Sequence, residues 1–538
     1  MRSFLLKHFQ WELFKNNLKK ELISGFIVFL VALPLSIGIS LASGAPATAG
    51  IFAAVVGGIL GSLMGGGHVM INGPAAGLIV VILTSIQTLG QGDVQAGFKL
   101  TLAAIVFSGV IQVVLGVFRL GSLGFLAPVQ VIHGMLASIG VTVIVKQVYV
   151  LCGLKPQGIE TFEQILHLPH TVFNANEAIL GIGLATIVLI LFLSKSKNRW
   201  IKLLPAPLAA VCVGMGFDKF FDFEHPHMVE VFHHSLGQVS NAFLLHVPEK
   251  LTEGLVQPDW SMVSKPIFWK MTLMICFVAS IESILSASAV DKMDPEKRRS
   301  PLNTELISKG FCNVLLGLIG GLPIITEMVR SNINISNGAK TRWPNFIHGL
   351  LILLFVAFAP GILNLIPLAS FAAILILVGF RLANPKQLFH AHEVGWEQLL
   401  LFVTTLLVSL KTDLLVGVFS GIFLKLILNC FRARSVVDLF RLRTSHELRD
   451  HIYMVALQGP VVFTNLLGFR KVLKTIPKNV KQVTLDFRKS RLVDHTVLDF
   501  IESEKGFMKD QGVQVQIIFS ENHVPAGKHP LSSQVLRD

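Results

Sequence analysis

Apolar runs long enough to cross a bilayer restrict a chain more than any other feature, and this sequence repeats them. From Leu22 to Cys430 apolar stretches of about 18–25 residues recur, enough to traverse a hydrocarbon core ~30 Å thick. Only 15% of the 538 residues are charged, whereas a soluble surface needs roughly 25%. Backbone polar groups in lipid must be satisfied internally, so the expectation is a polytopic α-helical membrane protein. Residues 1–21 hold Trp11, Phe14 and Lys19-Lys20. They read as a cytoplasmic amphipathic segment, with no small-residue cleavage site after a short apolar stretch. The five cysteines (Cys152, Cys212, Cys276, Cys312, Cys430) are scattered, which reads as small apolar filling without a metal site. The net charge of +13 fits loops beside anionic lipid, with membrane lipid and not nucleic acid as the partner.

Hydropathy divides the transmembrane part, residues 22–431, into about fourteen spans. Their approximate limits are 22–42, 47–65, 73–89, 98–118, 125–150, 177–194, 203–217, 267–290, 302–320, 323–337, 346–359, 361–382, 397–410 and 413–430. Basic residues orient them by the positive-inside rule. Arg2, Lys7, Lys15, Lys19 and Lys20 place the N-terminus in the cytoplasm. With fourteen spans every second loop is also cytoplasmic, and those loops are the basic ones. Lys195, Lys197, Arg199 and Lys202 follow span six, and Lys292, Lys297, Arg298 and Arg299 follow span eight. Lys340 and Arg342, Arg381 and Lys386, and Arg432 and Arg434 follow spans ten, twelve and fourteen. The loop 218–266, with only Lys219, Lys250 and Lys265, falls outside. Both termini are therefore expected in the cytoplasm. Beyond Arg434, strands near 452–457, 483–487 and 513–519 alternate with helical patterns near 464–475 and 495–511. That alternation predicts a compact α/β unit over 445–538.

Gly and Pro breaks at matching places in two halves mark transporter sites. A seven-plus-seven division pairs span three, opening Asn72-Gly73-Pro74-Ala75-Ala76-Gly77, with span ten, opening Gly320-Gly321-Leu322-Pro323-Ile324-Ile325-Thr326. Each reads as extended chain feeding a half-helix whose N–H groups attract an anion near mid-membrane. Ordinary loops at span ends are the other reading. Charged residues inside apolar spans are costly and usually functional. Glu282 lies within span eight with Ser286 one turn on, and Arg330 lies within span ten near Glu327. Arg330 suits an anion and Glu282 a proton or cation. A structural Glu–Arg pair explains the same residues, and Glu327 is also available to Arg330. Lys146 and Asp413 lie near span ends, where they can snorkel.

These segments resemble the SulP (sulfate permease) family. Ala32-Leu33-Pro34-Leu35-Ser36-Ile37-Gly38-Ile39-Ser40-Leu41-Ala42-Ser43-Gly44-Ala45 is similar to its opening signature, and Asn72–Gly77 to its third-span motif. Ser280-Ile281-Glu282-Ser283-Ile284-Leu285-Ser286-Ala287, followed by Asp291, Asn303, Glu305, Leu306, Gly310 and Asn313, resembles its eighth-to-ninth-span block. Gly338-Ala339-Lys340-Thr341-Arg342 resembles the end of its tenth span, and the tail resembles a STAS domain. The resemblance implies seven-plus-seven inverted repeats, a homodimer and elevator-like alternating access. It implies symport or exchange of a small inorganic or carboxylate anion, with no cofactor beyond a coupling Na+ or H+. Asn72, Gly73, Pro74, Ala75, Thr326, Val329 and Arg330 would then line the anion site, and Glu282 with Ser286 would serve ion coupling. The forms Ala-Leu-Pro-Leu-Ser and Asn-Gly-Pro-Ala-Ala-Gly-Leu resemble a bacterial subgroup sometimes fused to carbonic anhydrase, which points to an inner membrane and to bicarbonate ahead of sulfate.

Two departures stand out. Thr326-Glu327 replaces a Thr-Gly common in bacterial members, bringing another carboxylate toward the anion site. Leu492-Val493-Asp494-His495-Thr496 replaces the Asp-Ser-Ser-Gly-like turn of STAS domains, with Thr496 at the position phosphorylated in soluble relatives. Helix capping by Asp494 or Thr496 explains that stretch equally. The STAS-like tail would bind a regulatory protein or nucleotide. No nucleophile–base set, metal cluster or nucleotide loop suggests an enzyme. An uncoupled anion channel and a membrane sensor of the same fold remain the alternatives. Arg330, the span-one signature and the STAS-like tail argue against a nucleobase-type cation symporter.

Overall fold

The computed structural model describes residues 10–122, 127–154, 161–196, 205–231, 234–433, 436–477, 480–510 and 512–537. Arg2, Lys7, Lys197, Arg199, Lys202 and Arg434, used above for orientation, lie outside them. The chain divides into two compact units, Met1–Gly121 with Ile139–Ala383, and Ser122–Ser138 with Asn384–Asp538.

Every expected span carries a helix. In the first half these are α1 Leu18–Ala42, α2 Ala47–Met64, α3 Ile79–Gly90, α4 Val94–Val117, α5 Val129–Leu151, α6 Glu177–Lys195 and α7 Ala206–Phe221. The second half gives α8 Pro266–Met293, α9 Leu302–Ile319, α10 Met328–Ser336, α11 Trp343–Phe358, α12 Leu368–Leu382, α13 Trp396–Lys411 and α14 Leu414–Ala433. Among the described residues, eight helical stretches are long and apolar enough to cross a membrane. Their outward faces carry Val117, Val188, Phe192 and Phe423, each more than 60% exposed. Such apolar exposure belongs in lipid.

Two helices break as their sequences require. Before α3, strand β1 (Ile71–Pro74) leads into a short 3-10 turn, Ala76–Leu78; before α10 runs strand β4 (Ile324–Glu327). The two strands pair antiparallel, with Asn72 opposite Thr326 and Ile71 opposite Glu327. Antiparallel pairing is what two inverted copies of one break produce. Around them α1, α2 and α11 share an apolar core that includes Val28, Ile37, Ile51, Ala54, Ile352 and Val356. Small residues let helices approach backbone to backbone, the usual device where lipid supplies no hydrophobic drive. A methyl group at Gly109 of α4 would lie 2.6 Å from the Gly310 carbonyl oxygen of α9.

Among the elements that escaped the sequence reading are the helix Thr161–Phe173 and the hairpin of β2 (His227–Val231) with β3 (His234–Val239). Both are too polar or too short to stand out by hydropathy. Three further positions behave differently from expectation. Asp413 does not merely lie at a span end but caps α14, accepting the Val416 N–H at 2.9 Å. Lys146 is buried within α5 rather than turned to the interface. Cys212 is exposed on α7.

In the second unit α13 and α14 form a hairpin whose buried Glu397 pairs with Arg432 and lies 3.8 Å from Lys425 Nζ. Glu397 also accepts the Ser533 hydroxyl at 2.7 Å, tying the C-terminal segment to α13. The α/β fold there is a four-stranded sheet, ordered β5 (Arg443–Arg449), β6 (Ile452–Gln458), β7 (Gln482–Lys489), β9 (Gln514–Ile518). The last three strands run parallel and β5 joins β6 antiparallel. Helices α15 (Leu466–Lys474) and α16 (His495–Asp510) pack Leu466, Phe469, Val497 and Ile501 against Val455, Val483, Leu485 and Phe487. A smaller sheet, β8 (Leu492–Val493), β10 (His523–Pro525) and β11 (Gln534–Leu536), completes it.

Candidate functional site

Extended chain inside a membrane leaves N–H and C=O groups that lipid cannot satisfy. Side chains from the surrounding helices supply the partners for β1, β4 and the approach to β1. The Ser331 hydroxyl oxygen accepts the Ile71 N–H at 2.9 Å and donates to the Glu327 carbonyl at 2.6 Å. Asn345 Oδ1 accepts the Asn72 N–H at 3.0 Å, while its amide donates to the Gly57 and Gly58 carbonyls. Asn313 Oδ1 accepts the Ile324 N–H at 2.7 Å, and the Asn334 amide donates to the Val69 carbonyl at 2.8 Å. Glu305 accepts the Gly66 and Gly67 N–H groups and pairs with Lys309 at 2.8 Å. Arg342 donates to the carbonyls of Gly65 and Gly66, so it is a buried clamp rather than a loop charge.

This framework uses several residues named above in a structural way. The side chains of Asn72 and Thr326 contact one another at 3.5 Å, and the Thr326 hydroxyl reaches Glu305 at 3.3 Å. Both are buried.

The opposite arrangement holds for the glycines. Gly73 has no side chain because the Arg330 guanidinium packs there; a methyl group would overlap Nη1. Gly77 has none because the Glu282 carboxyl occupies that space; a methyl group would overlap Oε1. The two glycines of one short motif thus receive two intramembrane charged side chains, one from α10 and one from α8. Pro74 and Ala75 between them are buried, and Pro removes a donor where the strand ends.

Arg330 is fully buried, yet Nε, Nη1 and Nη2 have no hydrogen-bond partner among the described residues. Among the described residues neither Glu282 nor Glu327 hydrogen-bonds to it, although Glu327 is near enough to act on it electrostatically. Glu282 Oε2 is likewise buried without a partner. Ser286 is partly buried one turn along α8 and makes no bond to Glu282. Glu327 is the N-cap of α10 but caps nothing with its side chain. The first-turn N–H groups of α3 and α10 and the Arg330 guanidinium make one positively polarised region. A cavity of about 460 Å³ between α1, α6, α10 and α12 reaches Val329, beside Arg330, with Asn332, Asn337, Ser194 and Arg381 on its wall.

A model of the sulfate permease family matches residues 18–405. The chain belongs to the sulfate permease family. A putative sulfate transporter of Bacillus subtilis, YvdB, is 25% identical over 514 residues, covering 93% of this chain and 92% of its own length. The bicarbonate transporter BicA of Picosynechococcus is 25% identical over 469 residues, 83% of this chain and 79% of that protein. The fold matches the transmembrane domain of a cyanobacterial BicA with a TM-score of 0.63 at 24% identity, over 76% of this chain and 97% of that one. It matches SLC26A9 with a TM-score of 0.67 at 14% identity, over 94% and 84%. This sulfate permease family member is therefore a multi-span anion transporter and not an enzyme.

Sequence reasoning missed Asn345, Ser331, Asn334 and Lys309. The signal for Lys309 was present, since Glu305 and Lys309 stand four apart on one apolar helix. The amides and the serine carry too little hydropathy to be noticed. In the C-terminal domain Asp494 is the cap: Oδ1 accepts the Val497 N–H and Oδ2 the Phe463 N–H, each at 2.9 Å. Thr496 is buried at the start of α16, so modification there requires the helix end to open first.

Proposed function

We propose that the protein carries sulfate or bicarbonate through a site between the N-termini of α3 and α10, by proton- or sodium-coupled symport or by exchange. The observation that carries this reading is Arg330: a fully buried guanidinium with no hydrogen-bond partner among the described residues, seated on Gly73 between the two breaks. A buried unsatisfied charge is strongly destabilising unless an anion meets it. Glu282, lodged at Gly77, is the coupling carboxyl, and the cavity ending at Val329 is the way in.

Elevator-like alternating access, a homodimer and a regulatory role for the C-terminal α/β domain accompany this proposal. We place the protein in a bacterial inner membrane, with both termini cytoplasmic, an orientation that the basic loops support. The test is uptake of radiolabelled sulfate and bicarbonate into proteoliposomes under a sodium gradient, a proton gradient or neither. Concentrative uptake of one anion, driven by one gradient and lost in E282Q, is the expected result. E282Q with full coupled uptake would remove Glu282 from coupling. Equal equilibration without any gradient dependence would favour an uncoupled channel.

A further inference from the structure

Three ionisable groups meet at the proposed site, and two of them are acids. Glu327 ends β4 opposite Ile71 and stands as the N-cap of α10, where helix geometry favours an anion. It is nearly buried and its side chain makes no hydrogen bond or ion pair among the described residues, while electrostatically facing both Arg330 and Glu282. Apart from His348, the other elements around it leave this balance alone. No charged residue occurs in α3, and β1 carries none. On α9, Glu305 and Lys309 neutralise one another. On α1, Glu21 is held by the Lys340 N–H and the Thr341 hydroxyl, beyond the far end of α10. From α11, His348 faces Arg330, its ring nitrogens without partners, and Arg342 is spent on carbonyls.

With both carboxyls ionised, Glu282 and Glu327 outweigh Arg330 and the site repels an anion. With one protonated the three groups sum to zero. With both protonated Arg330 acts alone. We propose that Glu327 is a second proton-binding group of this site, so that each anion bound is accompanied by two protons, one on Glu282 and one on Glu327. Ionised Glu327 occupies the electrostatic place of the anion at the α10 N-terminus; protonated, it vacates it. The inference rests on the site proposed above and adds the proton count.

The experiment measures anion affinity of the detergent-purified full chain from pH 5.5 to 8, in sodium-free buffer. The probes are sulfate, whose charge is constant over this range, and bicarbonate, expressed as the free ion. Each linked proton contributes up to tenfold in affinity per pH unit. Wild type is expected to weaken by up to a hundredfold per unit, E327Q and E282Q by up to tenfold, and the double variant not at all. Melting temperatures of the variants check that each is folded. A folded E327Q with the wild-type slope overturns the role of Glu327 and leaves the site standing. A wild-type slope that sodium abolishes through Glu327 overturns it in favour of a cation site. Unchanged affinity in folded R330A, or no binding of either probe by wild type, overturns the site itself and the inference with it.

Discussion

Gly73 and Gly77 explain why Arg330 and Glu282 can exist within a membrane: each charge fits only because a side chain is missing beneath it. Gly77→Ala drives a methyl group into the Glu282 carboxyl. Overpacking of this kind costs about 1–3 kcal/mol, so G77A should fold less stably and lose uptake, checked by thermal melting and by proteoliposome flux. Wild-type flux in G77A would show that the carboxyl has room to move and that its seat is unimportant. Asp494 illustrates a cap of ordinary size. Asp494→Ala should destabilise the C-terminal domain by about 0.5–2 kcal/mol, visible as faster limited proteolysis after β7 with α1–α14 intact. Unchanged proteolysis would mean that the Ser533 contact with His495 holds α16 without it.

Strand–helix breaks are the elements on which function depends, and polar side chains from neighbouring helices hold them. Asn345→Ala strips a partner from the Asn72 N–H and from two α2 carbonyls. Leaving buried groups unsatisfied costs about 1–3 kcal/mol each, so N345A should melt lower and transport poorly although no ligand touches it. A melting temperature equal to wild type would show that water replaces the amide. The breaks were legible because Gly and Pro interrupt apolar runs, and Glu282 and Arg330 because charge stands out against leucine and isoleucine. Pairing of β1 with β4 was not, since it joins segments about 250 residues apart and a four-residue strand has no period to read. Nor was the carboxamide framework, because one Asn barely changes the hydropathy of a span. Strand β5 escaped for a third reason: Arg443–Arg449 is polar on both faces, as suits an exposed sheet edge.

At the scale of the molecule, inverted helices bring two half-helix ends and one unpaired guanidinium together, and an α/β domain follows α14. Family membership makes the protein an anion transporter; the geometry proposes where its anion sits. That placement is tested most directly by isothermal titration of the purified wild-type protein and of R330A with sulfate and with bicarbonate. The account predicts saturable binding of one of these anions by wild type. Losing a charge-assisted bond worth about 1.5–3 kcal/mol should weaken it at least tenfold in R330A. Equal affinity in a folded R330A protein would place the anion elsewhere and contradict the account.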